Sequence, residues 1–120
     1  MKYSFAILKS IIFFVIVVLF FSCSKRDGKP RILVFSKTAG YHHESIKEGN
    51  AAIEKLGGLN NFDVDTTTDA SMFNDDSLKK YSAVVFLSPT GDVLNNYQEA
   101  SFERYIQAGG GYVGIHAATD

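Results

Sequence analysis

The chain has 120 residues, 12 basic against 13 acidic side chains, a net charge of −1 and a single cysteine. That length holds one domain, the lone cysteine excludes an intramolecular disulfide, and the absence of a basic stripe argues against nucleic acid as a partner.

The first segment is not domain. Lys2 and Lys9 form a positive n-region, residues 11–21 are an unbroken apolar run, and Ser22 and Cys23 follow. The run is shorter than the roughly 20 apolar residues that span a bilayer, so residues 1–22 read as a secretory signal. Cys23, directly after the apolar run, resembles the acylated cysteine of a bacterial lipobox, with cleavage just before it. Acyl chains anchor at about 0.8 kcal/mol per buried methylene. The expectation is an exported lipoprotein, tethered to a membrane through Cys23 and facing the periplasm or the cell surface. Removing residues 1–22 leaves 10 basic and 13 acidic residues, a net charge of −3. Residues 23–30 are polar, end in Pro30 and read as a tether.

Residues 31–36 form a continuous apolar run, the sign of a strand buried on both faces. A turn with Gly40 leaves it and enters a helix whose inner face carries Ile46, Ile53 and Leu56, with Gly57-Gly58 as the stop. His42, His43 and Ser45 fall at the amino end of that helix, where free N–H groups favour an oxygen-rich ligand, or where one of them simply caps the helix. Residues 62–66 alternate, as a more exposed edge strand does. Asp63, Asp65, Thr67 and Asp69 have the spacing of a calcium loop, but Thr68 stands at its glycine position and Asn74 at its glutamate position, so calcium is rejected. Residues 69–81 read as short helical turns on a surface crossover.

Residues 83–87 are the next buried strand, emptying into Thr90, Gly91 and Asp92. Asn95 with Gln98 three positions on is a capping-box pattern, opening a helix to about Ala108 with Phe102, Tyr105 and Ile106 inward. Gly109 and Gly110 end it, and residues 112–115 form a fourth buried strand. Gly109, Gly111 and Gly114 match the dinucleotide fingerprint only formally, because they follow a helix and enter a strand, the reverse of what that motif requires.

Alternating strands and helices predict a parallel α/β sheet, and a flavodoxin-like order 2-1-3-4 places a topological switch point between the first and third strands. Three loops converge there. They carry Thr38, Gly40, Tyr41, His42 and His43; Thr90, Gly91 and Asp92; and His116, Thr119 and Asp120, so all three histidines lie among them. Imidazole at that place can move a proton, with Asp120 or Asp92 orienting it. No cofactor is assigned. A divalent metal such as zinc is the alternative, with His42, His43 and His116 as candidate ligands beside a carboxylate.

The segments Gly40-Tyr-His-His-Glu-Ser-Ile, Val85-Phe-Leu-Ser-Pro-Thr-Gly-Asp and, most specifically, Gly114-Ile-His-Ala-Ala-Thr-Asp resemble the trehalose-utilisation (ThuA-like) family, over residues 31–120. The resemblance implies a flavodoxin-like, three-layer class I glutamine amidotransferase-like fold, of which this chain is the N-terminal half, truncated at its C-terminus. It implies a role in disaccharide or keto-sugar metabolism, with a carbohydrate or other small polar ligand as partner. Where amidotransferases carry Gly-x-Cys-x-Gly, this chain has Gly114-Ile115-His116-Ala117-Ala118, so His116 replaces the nucleophile and glutaminase chemistry is not expected. The expected catalytic residues are His116 and Asp120. Two readings follow: a His-centred hydrolase, lyase or isomerase, or a non-catalytic sugar-binding module. A fragment without independent activity is the third outcome.

Overall fold

The computed structural model describes residues 28–118. The expected signal (residues 1–22), Cys23, most of the tether, Thr119 and Asp120 lie outside the described residues. Four strands form one sheet: β1 (Arg31–Phe35), β2 (Asp63–Thr67), β3 (Ala83–Leu87) and β4 (Gly111–Ile115). All pairings are parallel and the order is β2-β1-β3-β4. Helix α1 (Ile46–Asn60) joins β1 to β2, a 3-10 turn (Ala70–Met72) and the short α2 (Asp75–Leu78) lead into β3, and α3 (Asn96–Gln107) joins β3 to β4. This is the flavodoxin-like arrangement, and the chain reverses direction across the sheet between β1 and β3.

Alternate side chains of the central strands feed two cores. Leu33, Phe35, Val84 and Phe86 meet Phe73, Leu78, Tyr81 and Tyr105 on one face. Val34, Val85 and Leu87 meet Ile46 of α1 on the other, with Ile53 packed beside it. The continuous apolar runs of β1 and β3 therefore reflect burial on both faces. Around Phe86 the first core is aromatic: its ring stacks on Phe102 at 5.3 Å and meets Phe73 edge-on at 5.6 Å.

Three expectations are corrected. Gly57-Gly58 does not stop α1, which continues to Asn60 and ends at Asn61, whose φ of 59° supplies the left-handed cap. Gly57 instead permits close approach: a Cβ there would stand 2.8 Å from the Phe62 carbonyl oxygen and 2.8 Å from Val64 Cγ2. Leu56 and Ile106, expected inward, are 51% and 39% exposed. Finally, β4 is not a buried strand. Among the described residues it is the last strand of the order, and Val113 is 48% exposed despite its apolar sequence. Asn95 does cap α3 with the reciprocal Gln98 capping box.

Candidate functional site

The carboxyl ends of β1, β3 and β4 meet at one rim. The loop after β1 and the loop after β3 are joined by an isolated bridge, Thr38 to Thr90. The Thr90 carbonyl accepts from the amides of Ala39 (2.7 Å) and Gly40 (3.2 Å), and its hydroxyl donates to the Tyr41 carbonyl at 2.7 Å. Gly91, with φ of 72°, turns the chain against Ala39: a Cβ there would lie 3.3 Å from that of Ala39. Lys37 adds a further tie, donating from Nζ to the Val93 carbonyl at 3.1 Å. Thr90 is thus buried and committed to holding the first loop, while Asp92 is exposed at the rim.

That clamp decides where the histidines sit. The rings of His43 and His116 are 4.5 Å apart, centroid to centroid, and tilted by 42°. Tyr41 meets His43 edge-on at 4.9 Å, and its own ring is 69% exposed. His42 turns the other way, with Nδ1 3.5 Å from Thr38 Oγ1. So two of the three histidines are brought together and the third is set against a threonine. Among the described residues no group of three or more His, Cys, Asp or Glu side chains is placed to hold a metal ion. Asp120, the expected orienting carboxylate, lies outside the described residues.

The backbone at the rim is unusual. Both β3 and β4 run straight into a left-handed non-glycine residue, Ser88 (φ 49°) and His116 (φ 59°). The Ser88 amide donates to the Ile115 carbonyl at 3.0 Å, and the Ala118 amide donates back to the His116 carbonyl at 2.7 Å, closing a tight turn around the histidine. Left-handed conformations cost of the order of 1–3 kcal/mol outside glycine and cluster at functional sites, where surrounding structure holds them. The turn lifts the His116 side chain off the sheet toward His43, in the manner of an elbow. Neither Lys37 nor Ser88 is distinguished by the sequence pattern, because one acts through a contact to a distant carbonyl and the other through a torsion angle.

Two cavities near this rim lie on its α3 side, and a larger one does not. A cavity of about 520 Å³ sits at the opposite, amino end of the strands against Tyr81, Arg104 and Tyr105, far in the fold from the histidines. Of its charged side chains, Arg104 and Asp75 are paired with each other at 3.0 Å, and Lys79 is paired with Asp76 at 2.6 Å.

The comparisons with known proteins agree with the architecture. The family model described as ThuA, trehalose utilisation, matches residues 31–120. The crystal structure of a ThuA-like protein from Bacteroides uniformis ATCC 8492 superposes with a TM-score of 0.63 over 82% of this chain, at 24% identity. The chain spans 40% of the length of that protein. No curated protein matches it. With a family model covering the whole sheet and every loop of the rim, the chain belongs to the ThuA, or trehalose-utilisation, family.

Proposed function

We propose that the chain acts on a carbohydrate through acid–base chemistry at the His43–His116 pair. The observation that carries this reading is the 4.5 Å approach of the two imidazoles at the carboxyl ends of the strands. Two rings at that distance offer one nitrogen to remove a proton and another to deliver one, within reach of a single small ligand. For a keto sugar the step is an enolisation. One imidazole takes the proton from the carbon beside the carbonyl, the electron pair of that C–H bond becomes the new C=C bond, and the carbonyl oxygen takes a proton from the other. No electrons leave the substrate, so no redox partner is required.

The exposed ring of Tyr41 supports a second reading, a sugar-binding module in which that ring stacks on a pyranose face. Turnover separates the two. Disaccharides and their keto derivatives are offered to the protein and to His116→Gln, which keeps a hydrogen-bonding side chain but no titrating group. The enzyme reading expects a fall of about 10²–10⁴-fold. Undiminished turnover in the variant removes the catalytic role of His116, and binding without turnover by the natural chain favours the module.

The reading also includes export, with cleavage after Ser22 and acylation of Cys23 placing the domain beside a membrane. Labelled palmitate incorporated by the natural chain and not by Cys23→Ser is the expected result. Equal labelling of both removes the anchor.

A further inference from the structure

Tyr112 stands on β4 two positions before Gly114, and by the alternation of a strand the two share one face of the sheet. Its ring meets Phe86 of β3 edge-on at 5.4 Å and Phe102 of α3 at 5.7 Å, tilted by 70°. These contacts set the direction of the ring, and its hydroxyl end comes to lie over Gly114. A Cβ at that glycine would stand 3.1 Å from the Tyr112 hydroxyl oxygen and 2.9 Å from the Ala118 Cβ. Across the gap so left open, the Tyr112 hydroxyl donates to the Ala118 carbonyl at 3.3 Å.

Ala118 is the far end of the turn that carries His116. Its amide donates to the His116 carbonyl at 2.7 Å, and the near end is held where the Ser88 amide donates to the Ile115 carbonyl at 3.0 Å. Between these ties the His116 backbone is left-handed, with φ of 59°. A residue other than glycine keeps that conformation where its surroundings hold it. The backbone bonds close the turn on itself and on β3. The Tyr112 hydroxyl adds a tie of another kind, from the far end of the turn to the aromatic cluster of Phe86 and Phe102. Ala118 packs against that same core.

We infer that Tyr112 is a positioning residue for His116, latching the turn so that the imidazole stays against His43. The use made of that imidazole rests on the function proposed above; the latch rests on the contacts of Tyr112. A ring that only filled the core would need no hydroxyl, and Phe102 beside it has none.

Tyr112→Phe keeps the ring and removes the hydroxyl, so it separates latching from packing. In NMR of the full chain, amide exchange at Ala118 is expected to quicken about threefold, toward the lower end of what an intramolecular hydrogen bond contributes, as suits a 3.3 Å contact. The amides of Leu33, Val34 and Phe35 in β1 should exchange as before. The nuclear Overhauser contact between the His43 and His116 rings should weaken, while that between Tyr41 and His43, within the loop after β1, should persist. Neither readout needs a substrate, so a natural chain without turnover removes the proposed function and leaves the latch standing. Unchanged exchange at Ala118, or an undiminished contact between the two imidazoles, overturns the latch. Equal quickening in β1 overturns it as well, because the hydroxyl would then support the fold at large and not the turn.

Discussion

The His43 and His116 rings stand 4.5 Å apart although one belongs to the loop after β1 and the other to the end of β4, two strands away across β3. Their contact is therefore a product of topology: the switch point opens a crevice and the loops around it fold inward. The ring protons of each histidine report on the other. In His116→Ala, proton NMR should show the His43 resonances moving, because a neighbouring ring current is lost, while those of His42 stay in place. Unmoved His43 resonances would mean that the rings do not meet in solution.

Thr90 holds this arrangement without facing it. Thr90→Val keeps the shape and removes the hydroxyl that donates to the Tyr41 carbonyl. The expected loss of stability is about 0.5–1.5 kcal/mol, as for an ordinary intramolecular hydrogen bond. The loop carrying His43 should also loosen, so amide exchange across residues 39–43 is expected to quicken while that of β1 does not. A stability loss without faster exchange in the loop would leave Thr90 as a packing residue only.

Adjacent glycines in α1 should respond in opposite directions. At Gly58 an added Cβ has nothing within 4 Å, so Gly58→Ala gains helix propensity of about 0.8–1 kcal/mol. At Gly57 the same Cβ collides with the Phe62 carbonyl and Val64, and overpacking of this kind costs about 1–3 kcal/mol, which exceeds the propensity gain. Thermal melting of the two variants checks the pair, with Gly58→Ala expected above the natural chain and Gly57→Ala below it. Two rises would show that β2 does not press on the helix as described.

Burial, then the hydrogen bond donated to Asp65, pushes the Tyr81 hydroxyl up to about 12. An unfolded tyrosine titrates near 10, so between these values the folded chain keeps a proton that the unfolded chain has lost. The stability that Tyr81 contributes is complete below about pH 10 and falls as the pH rises toward 12. Burial raises Tyr112 in the same direction, which adds to the loss. Urea midpoints at about pH 8 and about pH 11 should fall further in the natural chain than in Tyr81→Phe. Equal falls would show that this hydroxyl is not held neutral by the fold.

Much of the scaffold is legible in the sequence, for identifiable reasons. The uninterrupted apolar runs of β1 and β3 signal burial on two faces, and Asn95 with Gln98 signals the start of α3, because those signals are local. What fails is what depends on neighbours. Gly57-Gly58 has the composition of a stop, yet the approach of Phe62 and Val64 makes Gly57 a packing residue inside the helix. Val113 has the composition of a core residue, yet it is 48% exposed on β4, the outermost of the four described strands. At the rim, convergence of the histidine loops follows from the strand order β2-β1-β3-β4, which alternation of strands and helices allows but does not by itself fix. That Thr90 clamps the loop, and that His42 turns to Thr38 while His43 turns to His116, depends on side-chain contacts that no spacing encodes.

The most direct test of the account follows the proton itself. A keto-disaccharide is incubated with the protein in deuterated water, and deuterium appearing at the carbon beside the carbonyl is measured by NMR. The account predicts incorporation by the natural chain that falls about 10²-fold or more in both His43→Gln and His116→Gln, since each ring supplies one half of the exchange. Incorporation that persists in either variant, or none in the natural chain, would contradict it.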